Sequence, residues 1–262
     1  MSHSLQLRSV HLRVADLSRS VAFYVDQLGL VSLTSRPEQV ELAVAESAKS
    51  VLTLTQDATA PAQKRDAAGL FHAAMLLESR AALGHWLRTS AEAGVNFDGF
   101  SDHGVSEAIY LTDPDGNGLE FYADRPRDHW PIRDGELQMG TDPLAIPELL
   151  AAGSDHRGPP LVSARWGHLH LRVSDLDRSE AFYTEQLKMQ RMQRFGSSAR
   201  FLAADGYHHH LGLNNWGGVH QPRNATTIGL IEATFARADI SQPRLVTDPD
   251  GIALRLIALK ET

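Results

Sequence analysis

Val10, Leu12 and Val14 alternate with His11 and Arg13, the period-two pattern of a strand with one buried face. Asp16 follows as a helix N-cap. Leu17, Val21, Tyr24 and Leu28 then recur at i, i+4, i+7 and i+11, an apolar stripe that a helix turns toward a sheet. Gly29 stops that helix. Three short strands are predicted near 31–35, 39–45 and 50–55. The order then repeats, with a strand at 70–78, a helix at 79–94 ending at Gly94, and strands to about 122. A third unit runs from about 165 to 214. A fourth, from about 226 to 259, has little room for a helix and reads as degenerate. The Pro- and charge-rich stretch 124–164 joins the halves, with one helix predicted over Pro143 to Ala152.

The repetition is written in the residues. LRVADLSRSVAFYVDQLGL (12–30) and LRVSDLDRSEAFYTEQLKM (171–189) share twelve of nineteen positions at an offset of 159. LTDPDGNGLEF (111–121) and VTDPDGIALRL (246–256) share six of eleven at an offset of 135. The chain is therefore a duplication of α+β class, built from four βαβββ modules of which the last is degenerate. Its expected division is a first domain at 1–125 (modules 1 and 2), a linker at 126–163, and a second domain at 164–262 (modules 3 and 4).

Composition narrows the chemistry. With 262 residues and 42% hydrophobic positions, the chain has ample material for a core. The absence of cysteine excludes disulfides, thiol nucleophiles, iron–sulfur clusters and thiolate zinc sites. A formal charge of −7 argues against a nucleic-acid partner. No apolar run is long enough for a membrane span. The start, Met-Ser-His-Ser, lacks a signal pattern, so a cytoplasmic location is expected. Thirteen histidines stand out, and any metal must use imidazole and carboxylate.

Four βαβββ modules, the helix motif LxRSxAFY and the DPDGxxxE hairpin together resemble the vicinal oxygen chelate superfamily, which includes glyoxalase I, bleomycin-resistance proteins and type I extradiol dioxygenases. The resemblance implies two glyoxalase-like half-barrel sheets. HGVSEAIYLTDPDGNGLE (103–120) is similar to the extradiol ring-cleavage signature in His103, Ile109-Tyr110, Asp113-Pro114 and Glu120. Ser101 departs from it, where the pattern prefers Gly, Asn, Thr, Ile or Val.

The family builds each metal site in a cup between two modules, with ligands from their first and last strands. Here this implies His72, Glu120 and His168, with His170 a competitor two residues along the same strand face. Two histidines and one carboxylate form the facial set of non-haem Fe(II) oxygenases. Counterpart positions in modules 1 and 4 hold Ser9 (168 − 159) and Arg255 (120 + 135), which do not suit a metal. Module 2 is therefore expected to pack on module 3, and module 1 on module 4. The alternative is a sequential pairing with a site of His11, His72 and Glu120. Residues 207–211 (YHHHL) are read as a strand in which His209 faces away from His208 and His210. The resemblance implies acid–base work for His209 and substrate orientation by His103 and Tyr110.

The implied function is catechol 2,3-dioxygenase-like cleavage of a small aromatic diol with O2, in aromatic catabolism. The expected cofactor is Fe(II), with Mn(II) as the alternative, and the expected assembly is a homo-oligomer. Two other readings stay open: a glyoxalase- or epimerase-like enzyme using Zn, Ni or Mn, which needs a fourth protein ligand, and a metal-free drug-sequestering protein.

Overall fold

A computed structural model describes residues 4–134 and 136–259. Module 1 comprises β1 (Leu5–Val14), α1 (Leu17–Ala22, continued by a π turn over Phe23–Gln27), β2 (Val31–Arg36), β3 (Gln39–Ala43) and β4 (Leu52–Gln56). Module 2 comprises β5 (Gly69–Leu77), α2 (Arg80–Glu92), β6 (Gly99–Asp102), β7 (Ser106–Thr112) and β8 (Gly118–Asp124). The joining stretch carries a small hairpin, β9 (Ile132–Arg133) and β10 (Glu136–Leu137), and helix α3 (Ile146–Ala152). Module 3 comprises β11 (Arg165–Arg172), α4 (Leu176–Leu187), β12 (Gln190–Phe195), β13 (Ala199–Ala203) and β14 (Leu211–Asn214). Module 4 retains only β15 (Gly229–Arg237), β16 (Arg244–Thr247) and β17 (Ala253–Ala258), with no helix between β15 and β16.

The strands form two curled sheets whose membership does not follow chain order. One sheet runs β16-β17-β15-β1-β4-β3-β2, uniting modules 1 and 4. The other runs β12-β13-β14-β11-β5-β8-β7-β6, uniting modules 2 and 3. Within each module the first and last strands pair in parallel, as in β5 with β8 and β11 with β14. First strands of partner modules then pair antiparallel, β1 with β15 and β11 with β5. Parallel neighbours need a crossover, which the helix provides in the first three modules.

The repeated motifs have physical roles. Asp16 and Asp175 accept from the backbone N–H of Arg19 and Arg178, capping α1 and α4. Tyr24 is buried, so its hydroxyl needs a partner. It donates to Asp113 of the first DPDG turn at 2.9 Å. Tyr183 repeats this with Asp248, also at 2.9 Å. The FY of one module's helix is thus tied to the DPDG turn of the next.

Helices cover the outer faces of the sheets. Trp86 of α2 stacks on Phe121 of β8 with ring centroids 3.8 Å apart. α2 and α3 meet closely because Gly84 lies against the Leu149 carbonyl, where a Cβ would intrude on backbone atoms. An exposed Gly→Ala change in a helix gains about 1 kcal/mol. Here overpacking reverses the sign, and Gly84→Ala should cost about 1–3 kcal/mol, read as a lowered Tm. Among the described residues, no helix is long and apolar enough to cross a membrane.

Candidate metal centre

The pairing of β5, β8 and β11 decides what can meet. β8 lies beside β5 with Glu120 opposite Ala74, and β11 lies on β5's other side with His168 opposite Ala74. His72, two residues earlier on β5, points to the same face as Ala74. The two strands beside β5 therefore present His168 and Glu120 around His72. The β5–β11 ladder also shifts register between Trp166 and His168, and again after His170. Such bulges re-aim side chains next to functional sites.

His72, Glu120 and His168 converge with one donor atom each, all within 4.8 Å of one another. Glu120 Oε2 lies 3.0 Å from His72 Nε2 and 3.2 Å from His168 Nε2. Metal–donor bonds of about 2.0–2.2 Å place ligands that meet near right angles about 3 Å apart. All three side chains are buried. His72 Nε2 makes no hydrogen bond despite its nearness to the carboxylate. An unsatisfied buried polar atom costs about 1–3 kcal/mol, which a cation among the three donors removes.

The electrostatics suit the same occupant. Burial alone would raise the Glu120 carboxyl, but His168 and then His72 beside it outweigh burial and hold it well below the usual range. Burial drives His168 down to about 4 against the opposing pull of Glu120. Burial, then the neighbouring imidazoles, hold His170 and His209 well below the ordinary histidine value. At neutral pH Glu120 is a carboxylate and His168, His170 and His209 are neutral imidazoles, the protonation states that divalent metal binding requires.

A cavity of about 360 Å³ opens over the donors, lined among others by His72, Glu120, His103, Tyr110, His170 and His209. Aromatic rings form its walls. Phe71 meets Trp216 edge-on at 5.3 Å, and Phe201 meets His209 at 5.0 Å. His103 Nδ1 donates to the Gly140 carbonyl at 2.6 Å, and its Nε2 shares a hydrogen bond with the Tyr110 hydroxyl, also at 2.6 Å. Tyr110 titrates well above the usual phenol range because of burial and the charge of Glu120.

The sequence-expected candidates His72, Glu120, His168, His209, His103 and Tyr110 thus share one site. His170 lines the cavity too, its ring 4.9 Å from that of His72 and its Nε2 without a hydrogen bond. It is not among the converging donors. His11 is elsewhere, in the other sheet, bonded to Thr55 Oγ1 at 2.8 Å. By strand pairing, the counterparts of His72, His168 and Glu120 in that sheet are Glu232, Ser9 and Arg255. Arg255 forks onto Glu232 at 2.7 and 2.9 Å, an ion pair where the other cup has its converging histidines and Glu120.

Two features differ from expectation or escaped it. Residues 207–210 are not a strand, because β14 begins only at Leu211. Left-handed Asp205 and Gly206 turn the chain just before, and the Ala204 N–H donates to His210 Nδ1. The chain therefore bends rather than alternates, and His208 and His209 meet through Nδ1 atoms 2.7 Å apart. The joining stretch also reaches the site, since Met139, Gly140 and Thr141 line the cavity. Gln193 grips Met139 through both its backbone N–H and carbonyl, and Asp102 bridges to Asp142. Nothing in the linker's composition signalled that role.

Comparison with known proteins agrees with this architecture. The model of the Glyoxalase/Bleomycin resistance protein/Dioxygenase superfamily matches residues 6–121 and 165–239. A protein of Bacillus subtilis (strain 168) named catechol-2,3-dioxygenase is 42% identical over 219 residues, covering 82% of this chain and 76% of that one. Among solved structures, glyoxalase I from Zea mays aligns with a TM-score of 0.59 at 17% identity, over 97% of this chain and 92% of its own. The cppA protein from Streptococcus pneumoniae TIGR4 aligns with a TM-score of 0.56 at 11% identity, over 97% and 99%. At those identities the structures speak for the fold alone. Modules, sheets and relatives lead to one conclusion: the chain belongs to the Glyoxalase/Bleomycin resistance protein/Dioxygenase superfamily.

Proposed function

We propose that this chain is an extradiol ring-cleaving dioxygenase acting on a catechol-type diol. His72, Glu120 and His168 would hold its metal, Fe(II) in the first place and Mn(II) as the alternative. The observation that carries the reading is the convergence of two imidazoles and one carboxylate on the floor of an aromatic-walled cavity. A relative named catechol-2,3-dioxygenase supports it. Two-His-one-carboxylate sets leave coordination positions open and are those of non-haem Fe(II) oxygenases. Held by these three side chains, Fe(II) would supply open coordination positions and the redox chemistry that a diol and O2 need.

The chain's own residues do the rest. The cavity volume of about 360 Å³ is near the lower end for small-molecule pockets, which suits a single substituted ring. Phe71, Phe201 and Trp216 give that ring apolar faces and exclude water. Tyr110, its hydroxyl fixed on His103, borders the cavity and orients the diol. His209, held neutral, takes a proton from the substrate hydroxyl and later returns it.

Anaerobic reconstitution with Fe(II), followed by plain, alkyl and chloro catechols or hydroquinones and O2, tests the reading. A yellow ring-opened product with one O2 consumed per diol is expected. No turnover across the whole panel rejects it. Tyr110→Phe removes one orienting hydroxyl and should lower kcat/KM about tenfold with metal content unchanged. Steady-state oxygen uptake and elemental analysis check that pair of values.

A further inference from the structure

Behind His209, a second layer of polar side chains is more ordered than packing requires. His208 is fully buried, its ring 4.0 Å from that of Tyr207 and 5.4 Å from that of Trp130. Its Nε2 lies 2.8 Å from Asp124 Oδ1, and its Nδ1 lies 2.7 Å from His209 Nδ1. The same Asp124 oxygen accepts the Tyr207 hydroxyl at 3.0 Å, and Tyr207 and Tyr122 share a hydrogen bond at 2.8 Å.

Hydrogen-bond direction can be read along this chain. A carboxylate only accepts, so His208 donates to Asp124 from Nε2. A neutral imidazole has one donor and one acceptor nitrogen. In the neutral form of His208, Nδ1 is therefore an acceptor, and the proton between the two Nδ1 atoms belongs to His209. That leaves His209 Nε2 without a proton. We propose that Asp124 and His208 are positioning residues that lock His209 in its Nδ1–H tautomer, so that Nε2 stands as the base in the cavity. Without such a partner, either nitrogen of His209 could carry the proton, and half of the acid–base capacity would face the wrong way. Metal-bound and catalytic histidines are commonly oriented by a carboxylate behind the ring. Here the carboxylate acts one imidazole further back.

The mechanistic value of the lock rests on the proposed acid–base role of His209. The tautomer itself does not, and it is measurable without metal or substrate. The experiment is a long-range 1H–15N spectrum of the metal-free chain, labelled with 15N-histidine, at mildly alkaline pH. His209 signals are assigned from His209→Gln. The expected wild-type pattern is a protonated Nδ1 and an unprotonated Nε2. His208→Phe fills the same aromatic slot but offers no acceptor, so the His209 proton should move to Nε2, with kcat falling about 10²-fold in the loaded enzyme. His208→Gln can accept from His209 through its carbonyl and donate to Asp124 through its amide. It should restore the wild-type nitrogen pattern and most of kcat.

An Nε2–H tautomer in the wild type overturns the inference, even in an enzyme that turns over. So does a His209 pattern unchanged in His208→Phe. Should that variant fail to fold, a His209 proton moved to Nε2 in His208→Gln overturns it equally. An inactive enzyme with the expected spectrum would instead count against the dioxygenase reading and leave the tautomer lock standing.

Discussion

Glu120→Gln is expected to empty the metal centre and abolish turnover. Gln has the shape of Glu and keeps a carbonyl oxygen, so the change isolates the charge. That charge matters because Glu120 is the anionic member of the converging group, with Oε2 at 3.0 and 3.2 Å from the two histidines. Altering partners that merely support a ligand costs about 10–100-fold in metal affinity, and losing the anionic ligand itself should exceed that range. The metal-free chain should still fold but with a lowered Tm, because the two imidazoles outweigh the burial cost of the carboxylate and a neutral amide loses that interaction. Elemental analysis after anaerobic loading, paired with thermal melts of the apo forms, checks both halves of this expectation. A variant that retains iron would remove Glu120 from the ligand set.

Replacing His209 should separate chemistry from metal binding. His209 lines the cavity, with its ring tilted at 4.0 Å from that of His168, but it is not in the converging donor group. His209→Gln should therefore load iron as the wild type does. Its kcat should fall by about 10²–10⁴-fold, the usual contribution of a general acid–base, with little change in KM. Oxygen-uptake kinetics on the iron-loaded variant give the measurement. Loss of iron together with kcat would mean that His209 supports the metal rather than the proton transfers.

Much of the fold was legible because the modules repeat their chemistry as well as their pattern. Alternating apolar residues placed β1, the Asp16 cap and Gly29 bounded the first helix, and the repeat carried that order to module 3. Module 4 was too short for a helix, and it has none between β15 and β16. The partnership of modules 2 and 3 was legible through donors alone. Ser9 and Arg255 disqualify the other cup, and the structure gives Arg255 an ion-pair partner in Glu232. His72, Glu120 and His168 were readable because each sits on a strand whose register the repeats define.

What was not legible depends on irregular backbone or on distant partners. A strand reading of residues 207–211 assumes alternation, but positive-φ Asp205 and Gly206 precede bends that bring the His208 and His209 rings together. Period-two spacing puts Tyr122 and Asp124 on the Glu120 face of β8, although neither was singled out from the sequence. It could not reveal that Asp124 meets His208, 84 positions away. The cavity wall at Met139 to Thr141 is equally non-local, because Gln193 and Asp102 of two different modules pin that segment in place. His170 shows the remaining ambiguity of pattern: it shares a strand with His168 and lines the cavity, yet its nitrogen does not join the donor group.

The most direct measurement loads wild type, His168→Ala and His11→Ala with Fe(II) under anaerobic conditions and counts iron per chain. A centre shared by modules 2 and 3 predicts one iron in the wild type and in His11→Ala, and none in His168→Ala. Iron retained without the His168 imidazole, or lost with that of His11, would contradict it.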